Sequence, residues 1–226
     1  MIYFLLVCAF IALAYGPSLW VRYILHKYSS PIAGMPGTGS ELAIHLIERF
    51  ELKGVKVEMG AAGENYYSPD EKIVCLSPDI YDGKSLTAVA VAAHEVGHAI
   101  QFNKGEAVTK LRQRYLGKAM MIKRLGSVIL MSIPVLTILI KSPAIMFFGI
   151  AVGIVTMLVS VLMYAAILPE EYDASYNKAL PILAQGYLPA EHMVAARRIL
   201  KACALTYVAG ALADVLSLWR WFRMIR

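Results

Sequence analysis

The chain of 226 residues is 58% hydrophobic and only 17% charged, with a net charge of +6, whereas soluble globular chains run at about 45–50% apolar and about 25% charged. The apolar excess is concentrated in blocks: Leu125 to Leu168 contains one charge, Lys141, while Leu25 to Arg124 contains 13 Lys/Arg and 11 Asp/Glu. That alternation excludes a plain soluble domain and marks an integral membrane protein, and the positive charge gathers beside the apolar segments, which suits lipid headgroups and topology signals rather than nucleic acid.

In chain order, Tyr3 to Val21 is uncharged and reads as a first span within an anchor over 1–24. Ala12-Leu13-Ala14 resembles a signal-peptidase site, but no Lys or Arg precedes it, so a retained anchor fits better than a cleaved signal. A water-soluble block over 25–124 follows. It opens with a Pro/Gly-rich loop, Ser29 to Gly39. The spacing of Leu42, Ile44, Leu46, Ile47 and Phe50 predicts a helix over Ser40–Leu52 that Gly54 stops, with His45 on its apolar face as a core or boundary residue. Val55–Met59 and Lys72–Leu76 read as short strands. The second is either a core strand or an edge that takes up substrate by strand addition. Ser85–Phe102 reads as an apolar helix, and Glu106–Arg124 as a helix with a basic face.

A transmembrane hairpin is expected over 125–168. Its arms are Leu125–Ile140, which contains Pro134, and Ala144–Leu168, turning at Lys141-Ser142-Pro143. A segment over 169–201 leads to a last region, 202–226, in which Ala202–Trp219 spans or lies in the interface and carries Asp214. An acid inside a span marks function by default, though Asp214 can equally pair near the interface. The three cysteines, Cys8, Cys75 and Cys203, are too dispersed for a zinc-finger or disulfide framework and read as free thiols. The fold class expected is a mainly α membrane protein with about four transmembrane helices and a domain carrying a small β element. Four spans would put 25–124 and 169–201 on one side of the bilayer.

The chemistry concentrates in Ala92-Ala93-His94-Glu95-Val96-Gly97-His98-Ala99-Ile100-Gln101. Residues i and i+4 of a helix share a face, so His94 and His98 present two imidazoles to one point. This is the H-E-x-x-H arrangement of zinc peptidases. A zinc ion acidifies the water it binds, and Glu95, offset around the helix, stands where a general base would take that proton. Gly97 would permit a close backbone approach. Burying two imidazoles and a carboxylate without partners would cost several kcal/mol, and a metal removes that penalty. A catalytic zinc needs a third protein ligand. Spacing alone offers His26, His45, His192 or the acidic cluster Pro169-Glu170-Glu171-Tyr172-Asp173-Ala174-Ser175, and does not choose between its glutamates. Glu170 would also suit a helix N-terminus just after Pro169.

Ser85–Gln101, Leu168–Ser175 and Leu200–Ala209 together resemble the YugP-like family of neutral zinc metallopeptidases, integral membrane proteins of bacteria. The broader pattern resembles the HtpX-like membrane proteases and the CAAX prenyl proteases. The resemblance implies that the third ligand is the glutamate opening an E-x-x-A segment. Here that is Glu171-Tyr172-Asp173-Ala174, which selects Glu171. The HtpX-like pattern has an aspartate after that alanine, where this chain has Ser175, so that orienting partner does not carry over. Asp173 and Ser175 are the residues placed to orient a ligating histidine instead. Tyr207 is one of thirteen tyrosines available to stabilise an oxyanion.

The expected function is a multi-pass zinc endopeptidase of the bacterial cell membrane acting on a protein or peptide substrate. His94, His98 and Glu171 hold one zinc per chain and Glu95 is the base. The alternatives are a non-catalytic zinc-stabilised scaffold or adaptor with a closed four-ligand site, and a small transporter using Asp214. Arg22, Lys27, Lys118, Lys123, Arg124, Arg197, Arg198 and Lys201 border the spans on the motif side, against Lys141, Arg220, Arg223 and Arg226 opposite. That bias points the catalytic side to the cytoplasm.

Overall fold

A computed structural model describes the backbone of residues 2–224, and all side chains except those of 1–7, 10, 11, 13, 14 and 211–226. The chain is mostly helical with one small sheet. In order it forms α1 (Ile2–Lys27), α2 (Gly39–Arg49), β1 (Lys56–Met59), β2 (Tyr66–Ser68), β3 (Ile73–Leu76), α3 (Pro78–Tyr81), α4 (Leu86–Asn103), α5 (Lys110–Ile140) and α6 (Pro143–Tyr172). A π-helical stretch (Asp173–Ala179), α7 (Leu180–Ile182), a second π-helical turn (Leu183–Tyr187) and α8 (Met193–Met224) complete it. The residues fall into two compact units. One comprises 1–18, 110–167 and 207–226, and the other comprises 19–109 and 168–206.

The second unit is built around α4, every residue of which from Leu86 to Gln101 is buried. Ser85 caps its N-terminus by accepting from the Ala88 N–H, which satisfies one of the donors a helix start leaves open. Around α4 pack α2, α3, strands β2 and β3, and the first π-helical stretch. α2 starts in a capping box: Thr38 accepts from the Glu41 N–H, and the Glu41 carboxylate accepts from the Thr38 N–H. The helix ends at Arg49, earlier than the expected Leu52, because Glu51 already turns the backbone left-handed at φ +50° ahead of Gly54. Its buried face is Leu42, Ala43 and Leu46. Ile44 and His45 are exposed, so His45 is a surface histidine rather than a core one.

The sheet has order β1-β3-β2, with β1 parallel and β2 antiparallel to β3. The strand expected over Lys72–Leu76 is thus the central one. Both its edges are occupied, so it cannot accept a substrate strand, and the edge reading is corrected. β2 escaped the sequence reading because three residues are too few for alternation to register.

In the first unit α5 and α6 form an antiparallel hairpin turned at Lys141, whose φ is +51°. Gly126 packs directly on the Thr156 side chain and Gly149 on Ile133, a close approach through small residues of the kind that holds helices together in lipid. The basic helix expected over Glu106–Arg124 and the span after it are one continuous helix, with Pro134 inside it. Outward-facing Ile138 and Leu139 are each 72% exposed. Among the described residues two helical stretches, Ala107–Ile140 and Pro143–Tyr187, are long and apolar enough to cross a membrane. The first and last expected spans, and the side chain of Asp214, lie wholly or partly outside the described residues. Of the about four transmembrane helices expected, the two of the hairpin are candidates among the described residues. Cys75 and Cys203 are buried, Cys8 is exposed, and all three are free thiols.

Candidate metal centre

The second unit brings three of the expected residues together. His94 and His98 lie one turn apart on α4, with ring centroids 4.7 Å apart and planes at 78°. Glu171 enters from the last turn of α6. Its Oε2 lies 3.2 Å from His94 Nε2 and 3.4 Å from His98 Nε2. The three donor atoms lie within 4.8 Å of one another, and all three residues are buried. Glu95, also on α4, is buried at 7% exposure. His26 and His45 are exposed, and His192 is half-buried. His192 meets Glu191 rather than this cluster. Tyr207 contacts Tyr164 and Arg112 in the first unit.

The hydrogen bonds fix which imidazole nitrogens face the centre. Ser175 Oγ donates to the Leu200 carbonyl at 3.0 Å, so its one proton is committed there. It must therefore accept the His94 Nδ1–H, also at 3.0 Å. The Gln101 amide nitrogen donates to the Glu170 carbonyl at 2.9 Å and to Asp173 Oδ2 at 2.8 Å. Both partners are acceptors only, which orients the amide and leaves its oxygen to accept from His98 Nδ1–H at 3.0 Å. Both rings thus carry their proton on Nδ1 and turn an Nε2 lone pair towards the Glu171 oxygen. Three acceptors facing one another repel unless a cation sits between them. A tetrahedral zinc with bonds of about 2.0–2.2 Å would hold its ligand atoms about 3.3 Å apart, and the observed 3.2 and 3.4 Å fit that spacing. Glu170, though also buried, faces the other nitrogen, with Oε1 3.6 Å from His98 Nδ1.

Burial alone would depress the His98 pKa, but the charge and hydrogen bond of Glu171, followed by the charges of Glu95 and Glu170, outweigh it and raise the value to about 9. A metal entering near neutral pH must displace that proton, so binding strengthens as pH rises.

Gly97 explains how α4 and the glutamate segment come so close. A Cβ on Gly97 would stand 2.9 Å from the Ala174 carbonyl oxygen and 3.3 Å from its Cα. Gly97 and Ala174 are therefore the facing small residues of the H-E-x-x-H and E-x-x-A segments. Gly97→Ala is expected to push the two segments apart. Overpacking of this kind costs about 1–3 kcal/mol, and the displaced Glu171 should weaken metal retention about 10–100-fold, as loss of a ligand's supporting contact does. Thermal unfolding and chelator competition on the purified variant measure both effects.

Two sequence readings change here. α6 runs through Pro169 to Tyr172, so Glu170 does not sit at a helix N-terminus and the dipole account of it fails. Asp173 and Ser175 both support the histidines, Ser175 on His94 directly and Asp173 on His98 through Gln101. Asp173 is itself held by Asn177 at 2.7 Å and Lys178 at 3.2 Å. Gln101 was missed. Its signal was a polar side chain in an apolar run three residues after His98, on the same helix face.

Residues 3–226 match the model of the family described as "Putative neutral zinc metallopeptidase". Across 228 aligned residues, 98% of this chain and 95% of the relative, the chain is 28% identical to "Putative membrane protease YugP" of Bacillus subtilis (strain 168). No solved structure matches the chain.

Proposed function

The chain belongs to the neutral zinc metallopeptidase family, and we propose that it is a membrane-embedded endopeptidase that cuts peptide bonds at the His94–His98–Glu171 cluster. The observation that carries this reading is the convergence of two Nε2 lone pairs and one carboxylate oxygen at zinc-ligand spacing, beside a buried glutamate. His94, His98 and Glu171 would hold one zinc, which when bound supplies Lewis acidity to a water and to the scissile carbonyl. Glu171 rather than Glu170 takes this part because one of its carboxylate oxygens faces both Nε2 atoms, whereas Glu170 meets His98 at Nδ1. Ser175 and the Gln101–Asp173 pair hold the two rings in the ligating tautomer.

Glu95 is the general base. It takes the proton of the attacking water and returns it to the leaving amine, the task of a carboxylate beside a polarised carbonyl. A purely structural zinc is closed by four protein ligands. Here the cluster offers three donors among the described residues, which favours an open site over a scaffold. The outward apolar faces of α5 and α6 support insertion in the bilayer, and the excess of span-bordering Lys and Arg on the motif side supports a cytoplasmic site.

The test is hydrolysis of an unfolded reporter protein by the detergent-purified chain before and after chelation. Chelation is expected to abolish cleavage and stoichiometric zinc to restore it. Cleavage that survives complete metal removal sinks the reading.

A further inference from the structure

Lys178 lies outside the donor set yet is bound into its support. Its ammonium stands between two carboxylates, 3.0 Å from Glu106 Oε2 and 3.2 Å from Asp173 Oδ2. Glu106 follows the end of α4 and is held to it by its main-chain N–H, which donates to the Gln101 carbonyl at 3.0 Å. Asp173 opens the π-helical stretch after α6. Lys178 thus ties the end of the histidine helix to the segment that carries Glu171. All three side chains are half-buried. The Asp173 oxygen that meets Lys178 also accepts the Gln101 amide N–H at 2.8 Å, and the Gln101 oxygen accepts from His98 Nδ1 at 3.0 Å. The series Lys178–Asp173–Gln101–His98 therefore runs from a part-exposed cation to a ring of the donor set.

We propose that Lys178 is a positioning residue for the metal centre: its charge keeps Asp173 on the Gln101 amide and so keeps His98 in the tautomer that ligates through Nε2. The proposal rests on the zinc reading above. Without the ammonium, Glu106 and Asp173 face each other across its place as like charges, which repel. The half-buried Asp173 carboxylate then turns towards water, and the Gln101 N–H loses an acceptor. A glutamine amide released on that side can rotate by half a turn and present its NH2 group to His98 Nδ1. An imidazole nitrogen that faces a donor must be the unprotonated one. The ring proton then sits on Nε2, the atom that has to bind zinc. Asn177 holds the other Asp173 oxygen at 2.7 Å, and the Glu170 carbonyl keeps its own bond to the Gln101 amide nitrogen at 2.9 Å, so the expected loss is partial.

The experiment measures the zinc affinity of the full-length, detergent-purified chain by chelator competition, with thermal unfolding of the metal-free chain as the control for folding. Lys178→Met should weaken zinc about tenfold, the low end of what loss of a ligand's supporting partner costs. Its unfolding temperature should stay close to wild type, because part-exposed ion pairs add little stability. Two further variants separate positioning from simple tethering. Adding Glu106→Gln to Lys178→Met removes the repulsion and should bring affinity back towards wild type, whereas a lost tether is not mended by a second substitution. In a Gln101→Met background, itself weakened about 10–100-fold, Lys178→Met should have no further effect, since its route to His98 is already cut. Wild-type zinc affinity in Lys178→Met overturns the proposal. So do additive losses in the Gln101→Met background, or a Glu106→Gln addition that restores nothing. A wild-type chain that binds no zinc refutes the metal reading itself. A wild-type chain that binds zinc no better than Lys178→Met refutes only the role of Lys178.

Discussion

Glu95→Gln is expected to keep zinc at the wild-type level and to lose cleavage by about 10²–10⁴-fold, the range a positioned acid–base group contributes. The amide has nearly the same shape and can still hydrogen-bond, so packing of the buried α4 survives. It cannot take a proton from water. The donors His94, His98 and Glu171 are untouched, so metal content reports on the fold while turnover reports on the base. A purified Glu95→Gln chain that cleaves at the wild-type rate would remove Glu95 from the chemistry and return it to the packing of α4.

The second large effect is expected from Glu171→Ala. It removes the carboxylate whose oxygen lies 3.2 and 3.4 Å from the two Nε2 atoms. Loss of even a supporting partner of a metal ligand weakens binding by about 10–100-fold, so loss of the ligand itself should exceed about 100-fold. Glu170→Ala serves as the internal comparison. Its carboxylate faces His98 Nδ1, and the Gln101 bond is made to its main-chain carbonyl, which the substitution leaves in place. Glu170→Ala should therefore retain zinc. Metal analysis of the two variants side by side decides between the neighbours. Loss in Glu170→Ala with retention in Glu171→Ala would move the ligand by one residue.

Part of this site was legible in the sequence, because it is local. His94, Glu95 and His98 lie within five residues of one helix, and helical periodicity alone aims the histidines at a common point. Gly97 was legible in kind, as a place where backbone approaches backbone, but not in partner. Glu171 lies 73 residues beyond His98, and no periodicity connects the two; only the resemblance selected it. The supporting bonds were half legible. Asp173 and Ser175 stood beside the ligand, whereas the part played by Gln101 depends on which side chain the α4 face meets, a tertiary fact. The length of the second span's helix was under-read because hydropathy reports solubility in lipid and not where a helix begins. The basic turns of Lys110–Arg124 carry too much charge to look like part of a span, yet the helix runs through them unbroken to Ile140. The central position of β3 was invisible because it depends on pairing with β2, a three-residue strand too short for alternation to register.

The bonds that complete the centre join segments 69 to 81 residues apart, from Gln101–Glu170 to Ser175–His94, and the whole α5–α6 hairpin is threaded between them. During synthesis the ribosome therefore delivers both histidines and Glu95 long before the third donor exists. A nascent chain that ends anywhere before Glu171 holds only two of the three donors. Completion of the cluster waits on translation of the return helix, so the order of synthesis brings in the third donor only at the end of the hairpin.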